Sequence, residues 1–388
     1  MSIKLLIIAN NNIGTGQSGG DTIFLEFIKH WQDKLDITVF GCEETGELLE
    51  RYKLSPKFIQ TDKININCNP TVFNLIYHTL KRIFWGKIVF FTHLKEFKKS
   101  DYCYTASDFL PDFLFGLLYK KVNPKGKWLC GYYLVADKSA YKRQKTKGFL
   151  YRQTQKITMP LANKYADQIL LTSDPDKKYF PNKKVVVVQG GVDITESKNY
   201  LNSSKVKPLS KRKYDAVFLG RLHPQKGVLE LVDIWKQVTL KLPHAKLAII
   251  GDGQLKSELM KKVKRSKLDK NIILFGFKTG KAKYDIFKDS KIVVHPAIYD
   301  SGGMSAAEAM AWGLPGVSFD LPALKTYYPQ GILKTPCFNY QKFADNIYQL
   351  LTNLSLYNKT SKEALNLINT TWDWSKRSLK IYNQTFND

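Results

Sequence analysis

Short apolar runs alternate with amphipathic stretches along most of the chain. Residues 3–9 predict a first strand, and residues 21–33 a helix with Ile23, Phe24, Phe27, Ile28 and Trp31 on one face. Residues 37–40, 128–135, 168–172 and 185–189 predict further strands. Residues 198–213 hold no periodic run and are expected to form a linker. The alternation then restarts more clearly. Strands are predicted at 214–219, 246–250, 272–275, 291–295 and 316–319, and helices at 227–240, 254–265, 281–289, 305–312 and 340–351. Strand–helix alternation in both halves implies parallel sheets. The expected fold class is α/β, with two doubly wound Rossmann-like domains, 1–197 and 214–370, facing across a cleft. Ligands are expected at the carboxyl ends of the strands.

At 388 residues the chain has the length of two domains of ~100–200 residues each. The longest nearly apolar run, residues 83–91, is nine residues long and holds Lys87. A membrane-spanning helix needs about 20, and the stretch at 3–9 is too short for a secretory signal. Five cysteines without a C-x-x-C pair argue against a disulfide framework and a zinc site. The expected location is the cytoplasm. Charge adds more: 60 Lys and Arg against 34 Asp and Glu leave a net +26. Residues 78–160 alone hold 17 basic and 5 acidic side chains. Such a field attracts nucleic acid, an anionic membrane surface or phosphorylated substrates.

Gly14-Thr-Gly16-Gln-Ser-Gly19 matches the G-x-G-x-x-G of dinucleotide-binding folds. Five residues, Asn10 to Gly14, intervene after the strand, and Asp21 is placed to cap a helix that starts after Gly20. This suits a glycine loop whose amides, at Gly19 and Gly20, face an anionic group. Asp174-Pro-Asp176 has the form of a cation-holding D-x-D, but its proline and following lysines favour a turn with a capping aspartate. No required metal is expected. Gly220-Arg-Leu-His-Pro-Gln-Lys-Gly227 follows a strand directly and ends at a helix. Arg221 offers a planar fork and Lys226 a point charge, a combination suited to a diphosphate. Asp300 and Glu308 lie eight residues apart around Gly302-Gly303, at the start of a small-residue helix. That start presents free N–H groups to a phosphate or sugar oxygen. Glu308 can accept bonds from the paired hydroxyls of a ribose.

Residues 214–320 resemble the donor domain of glycosyltransferase family 4, retaining enzymes with the GT-B fold. The likeness rests on Gly220–Gly227, on Ile250-Gly251-Asp252-Gly253, and on Asp300 followed by Glu308-Ala-Met-Ala-Trp-Gly-Leu-Pro315. It implies that Arg221 and Lys226 hold the donor diphosphate and Glu308 the ribose. Gly303, Met304 and Ser305 would offer backbone contacts, and Gly251 and Gly253 would lie near the nucleotide. Gly19-Gly20 is similar to the family's first-domain glycine loop, and Gln189-Gly-Gly-Val-Asp193 to its segment before the linker. Residues 371–388 are similar to its terminal helix, which crosses back onto the first domain.

Two departures stand out. Asp300 replaces the family's first glutamate, and residues 127–137 lack the first-domain histidine that many members carry. His93, Asp108, Tyr133 and Asp137 are the candidates in its place. The expected activity is metal-independent, retaining transfer of a hexose from a nucleotide sugar, of UDP or GDP type, to a glycan or lipid-linked acceptor. Arg221, Lys226 and residues 302–305 would stabilise the leaving diphosphate, and no other cofactor is expected. Residues 138–164 carry eight Lys and Arg and no acid, interleaved with Tyr141, Phe149 and Tyr151. With the 83–91 run they suggest a peripheral contact with an anionic membrane surface. The alternatives are a nucleic-acid-binding protein, with no recognised module to support it, and a GT-B epimerase or phosphorylase.

Overall fold

The computed structural model describes residues 2–13, 18–63, 71–136, 145–300 and 302–387. Gly14, Gly16, Asp137, Tyr141 and the basic residues of 138–144 lie outside the described residues. The chain divides into two compact units, Met1–Gly190 with Ser378–Asp388, and Gly191–Arg377.

The first unit holds seven parallel strands: β1 (Ile3–Ala9), β2 (Leu35–Gly41), β3 (Lys57–Gln60), β4 (Tyr102–Thr105), β5 (Lys127–Gly131), β6 (Gln168–Leu171) and β7 (Lys184–Val187). Their order is β3-β2-β1-β4-β5-β6-β7. Leu5 to Ala9 are buried without a break, as a central strand covered on both faces requires. The connecting helices are α1 (Gly19–Trp31), α2 (Glu43–Arg51), α3 (Val72–Thr92), α4 (Leu94–Lys99), α5 (Leu110–Val122) and α6 (Lys145–Tyr165).

Two sequence expectations are corrected here. Asp21 is not the cap of α1: Ser18 is. The Ser18 hydroxyl accepts the Asp21 N–H at 3.2 Å, and the Asp21 carboxylate accepts the Ser18 N–H at 2.6 Å. This reciprocal capping box draws Gly19 and Gly20 into the first helical turn. The strand expected to reach residue 135 ends at Gly131, opposite Leu170. Beyond it, side chains of α6 replace the ladder. Leu134 O accepts from Tyr151 and Gln155, and the Ala136 N–H donates to Gln155 Oε1 at 2.9 Å.

The second unit holds six parallel strands: β8 (Tyr214–Leu219), β9 (Leu247–Ile250), β10 (Ile272–Gly276), β11 (Ser290–His295), β12 (Gly316–Phe319) and β13 (Ile332–Thr335). Their order is β10-β9-β8-β11-β12-β13. Around them lie α7 (Thr195–Leu201), α8 (Val228–Lys241), α9 (Lys256–Arg265), α10 (Gly280–Lys288), α11 (Met304–Met310), α12 (Pro322–Tyr327), α13 (Tyr340–Thr352) and α14 (Leu354–Leu367). A last helix, α15 (Trp374–Phe386), counts with the first unit from Ser378 onward. There the Trp31 indole N–H donates to Ser378 O at 3.1 Å.

Residues 198–213 are packed rather than a free linker. Lys207 pairs with Asp289, and the Arg212 guanidinium donates to Ser290 O at 3.0 Å. The division falls earlier, at Gly190–Gly191, because Val192 already pairs with the second unit: its N–H donates to Trp372 O at 2.8 Å. Among the described residues no helix is long and apolar enough to cross a membrane. Strand order reverses between β1 and β4 and again between β8 and β11, the switch points where such sheets open a crevice for ligands.

Candidate functional site

In the second unit the chain leaves β8 through residues 220–227 and enters α8. Gly227 has φ +65°, and a Cβ there would stand 1.8 Å from Pro296 O, so only glycine fits. The turn is thereby pressed onto the segment after β11, and the Ile298 N–H donates to Gln225 O at 3.0 Å. On the other side Gly251 has φ +149°, with a would-be Cβ 1.9 Å from Gly220 O. The Leu222 N–H donates to Asp252 O at 2.9 Å, and Gly253 abuts Leu222. Gly251 and Gly253 therefore seat the end of β9 against the Arg221 turn.

Lys226 points from this turn to Asp300. Its Nζ lies 2.6 Å from Asp300 Oδ2, and His295 Nε2 lies 3.1 Å from the same oxygen. Asp300 Oδ1 accepts the N–H groups of Gly302 and Gly303 at 3.2 and 2.9 Å. Burial works to raise the pKa of this carboxyl. The Lys226 charge and the bond from His295 outweigh it and hold Asp300 well below the usual carboxylate range. The result is a fixed ion pair at the carboxyl end of β11.

Gly303, at φ +66°, opens α11, and the Tyr328 hydroxyl donates to its carbonyl at 2.6 Å. The Met304 and Ser305 amides have no acceptor among the described residues. The Ser305 hydroxyl oxygen is buried without a partner among the described residues. Farther along α11, Glu308 forms an ion pair with Lys283 of α10 and stays partly exposed. Arg221 is exposed, and its guanidinium meets no acceptor among the described residues.

The structure thus gathers Lys226, Asp300, Gly302, Gly303, Met304 and Ser305 at one place, with Gly251 and Gly253 bracing the adjoining turn. Two details differ from the sequence expectation. Lys226, expected on the diphosphate, and Asp300, in the place of the family's first glutamate, form one pair. The Gly302 and Gly303 amides, expected to meet an anion, bind Asp300 instead, because its short side chain folds back onto the helix start. His295, Lys283 and Tyr328 were missed. A histidine closing a predicted strand five residues before Asp300 was a usable signal for the first. Lys283 is one of 60 basic residues and carried none.

In the first unit Gly19 and Gly20 form the opening turn of α1, with Gly20 against the Tyr133 ring. The Tyr133 hydroxyl bonds that of Tyr104. Asp108 accepts from Tyr151 at 3.0 Å and Gln155 at 2.8 Å, and burial pushes it up to about 6. His93 sits at the α3–α4 junction with Nδ1 3.0 Å from Val89 O, away from any strand end. Asp112, not singled out by sequence, accepts from the Asn10 N–H and the Ser107 hydroxyl at the β1/β4 switch point. Asp174-Pro-Asp176 opens a 3₁₀ turn, Asp174–Tyr179, with Lys177 paired to Asp174 at 2.8 Å. Its cap position is Ser173, not an aspartate. Among the described residues no three His, Cys, Asp or Glu side chains converge as for a metal ion.

Residues 200–367 match the family model described as glycosyl transferases group 1. An uncharacterized glycosyltransferase of Methanocaldococcus jannaschii is 29% identical over 166 residues, 40% of this chain and 40% of that protein. The amylovoran biosynthesis glycosyltransferase AmsD of Erwinia amylovora is 30% identical over 159 residues, 40% of this chain and 44% of that protein. The chain thus spans less than half the length of these two relatives. The crystal structure of Anabaena HepE in complex with UDP aligns over 100% of both chains at TM-score 0.73 and 15% identity. The fold is the two-domain α/β GT-B fold.

Proposed function

We propose that this chain is a retaining glycosyltransferase of family 4. It moves a hexose from a nucleoside diphosphate sugar to a glycan or lipid-linked acceptor in envelope polysaccharide or glycolipid synthesis. The observation that carries the proposal is the Lys226–Asp300 pair at the β8/β11 switch point, on the same turn as Arg221, whose guanidinium meets no acceptor among the described residues. The group 1 match over 200–367 and the amylovoran relative support the reaction class. The UDP complex of HepE supports uracil as the base.

In the proposed reaction the bond from the anomeric carbon to the phosphate oxygen breaks, and negative charge grows on the diphosphate. Lys226 is already fixed by Asp300, so it meets that charge without reorganising. Arg221 supplies a second, planar donor set, and the Met304 and Ser305 amides two more. These groups supply the stabilisation that a divalent cation would otherwise provide, so the reaction is taken to need none. The acceptor oxygen attacks on the face the leaving group departs from, and its proton passes to the departing phosphate oxygen. Glu308 accepts the ribose hydroxyls. Cys42, Cys103, Cys130 and Cys337 are unpaired, which suits a reducing cytoplasm.

The test is a thermal-shift series with UDP, GDP, ADP and CMP, followed by turnover with the sugar form of the stabilising nucleotide. UDP is expected to raise the midpoint and the others little. No shift with any of the four would overturn the proposal.

A further inference from the structure

We propose that the outward face of α3 lies in the surface of an anionic bilayer. The inference concerns the first unit alone and does not depend on the reaction proposed above. Helix α3 has a packed face and an outward apolar one. On the packed face Arg82, Gly86 and Phe90 are buried, and a Cβ on Gly86 would stand 2.5 Å from the Phe115 ring of α5. The other faces outward. Phe73, Tyr77, Leu80, Phe84, Ile88 and Phe91 are 77, 52, 62, 60, 42 and 64% exposed. At 100° per residue these six fall within an arc of about 80°, along roughly 27 Å of helix. An apolar stripe on a helix is ordinarily buried against a core. Here the outward stripe stays exposed among the described residues.

Charge selects the occupant. Residues 72–92 contain no Asp or Glu. Lys87 stands exposed on one edge of the stripe, and on the other edge the Lys81 ammonium sits 5.8 Å above the Tyr77 ring. Helix α4 adds exposed Lys95, Lys98 and Lys99, while its Glu96 is paired to Lys57 at 2.9 Å. Helix α5 packs against both α3 and α6, and α6 carries exposed Phe149 and Ile157 among basic residues with no acid. Two copies of so basic a face would repel each other. Anionic headgroups complement the lysines, whose long stems keep their ammonium groups at headgroup level while the aromatic stripe enters the acyl boundary. Since Arg82 is buried against Glu44 on the inner face, the helix lies on the membrane rather than across it.

The experiment is flotation of the full chain with vesicles of phosphatidylcholine alone and of phosphatidylcholine with phosphatidylglycerol. The wild type is expected to float with the mixed vesicles at low salt, less with the neutral ones, and progressively less as salt screens the lysines. Leu80→Ser with Phe84→Ser alters only exposed side chains, so the melting midpoint should hold while partitioning falls at least about tenfold. Lys87→Glu should lower binding to the mixed vesicles alone. Three results would overturn the proposal: a wild type that floats with neither vesicle, a serine variant that floats as well as wild type, or a lipid-free dimer that the serine variant turns into a monomer.

Discussion

The strand order of the two sheets reverses at equivalent places, yet the chemistry there is opposite. At β1/β4 the buried acid has neutral partners. Asp112 is held by a backbone N–H and a serine hydroxyl, and burial pushes it up to about 7. The buried cation of that unit, Arg82, is engaged by both Glu44 oxygens at 2.6 Å. At β8/β11 a lysine reaches the acid, and Asp300 stays ionised. Topology supplies a crevice in both units, but the residue that arrives there decides its charge. A buried carboxyl with neutral partners and a raised pKa is charged or uncharged according to pH. A fixed ion pair beside an unengaged arginine suits a polyanion.

The most severe break in this contrast is Lys226→Ala. It strands a buried carboxylate, so unfolding free energy should fall by about 3–5 kcal/mol and nucleotide binding should be lost. Adding Asp300→Asn should restore much of the stability and none of the binding, because the stranded charge is gone while the cation is still absent. Urea unfolding and UDP titration of the two variants separate these effects. Equal stability of Lys226→Ala and wild type would show that the pair does not hold the turn.

The first unit is broken by pH. Asp112 has a folded pKa of about 7, against about 3.9 unfolded. Between these values the unfolded chain loses the proton that the native state keeps. Native stability therefore declines as pH rises from about 4 to 7 and levels off above, by on the order of 4 kcal/mol. Asp108, at about 6, adds a decline of the same sign. Asp112→Asn never ionises, so urea unfolding across this range should show a shallower slope than wild type. Asp300 acts in the opposite sense: its contribution is present above the unfolded pKa and is lost only as pH falls through its low folded pKa.

The second unit was legible because its chemistry is local. Gly220–Gly227 and Asp300–Glu308 each sit within one loop and helix start, so spacing alone placed Lys226, Asp300 and α11. The first unit's polar crevice joins Asn10 to Asp112, 102 residues apart, and no local pattern announces such a pair. The same limit hid Lys283, which meets Glu308 from another helix 25 residues away. The Ser18 cap was masked by Asp21, an equally good capping residue that takes the reciprocal position instead. In the sequence, residues 83–91 read only as a short apolar run; the packed structure shows that they belong to the longer helix α3 and which of its faces stays exposed.

Arg221→Ala tests the site without touching the fold. The side chain is exposed and makes no hydrogen bond or ion pair among the described residues, so the unfolding midpoint should hold. Losing one charged bond to a diphosphate should weaken UDP binding by roughly 1.5–3 kcal/mol, about ten- to a hundredfold. Unchanged affinity would remove Arg221 from the diphosphate site and leave Lys226 as its cation.

Lys283→Ala makes the smallest change and the finest cut. The Lys283–Glu308 pair is 18% and 35% exposed at its two side chains, so its removal should alter stability by less than about 1 kcal/mol. It frees a Glu308 oxygen that the lysine now holds. If Glu308 accepts the ribose hydroxyls, UDP binding should survive Lys283→Ala within about fivefold, since the carboxylate is still present. Glu308→Ala should erase the preference for UDP over its 2′-deoxy form, because the acceptor itself is gone. A ribose preference that survives Glu308→Ala but falls with Lys283→Ala would reverse the assignment, making the lysine the contact and the glutamate its support.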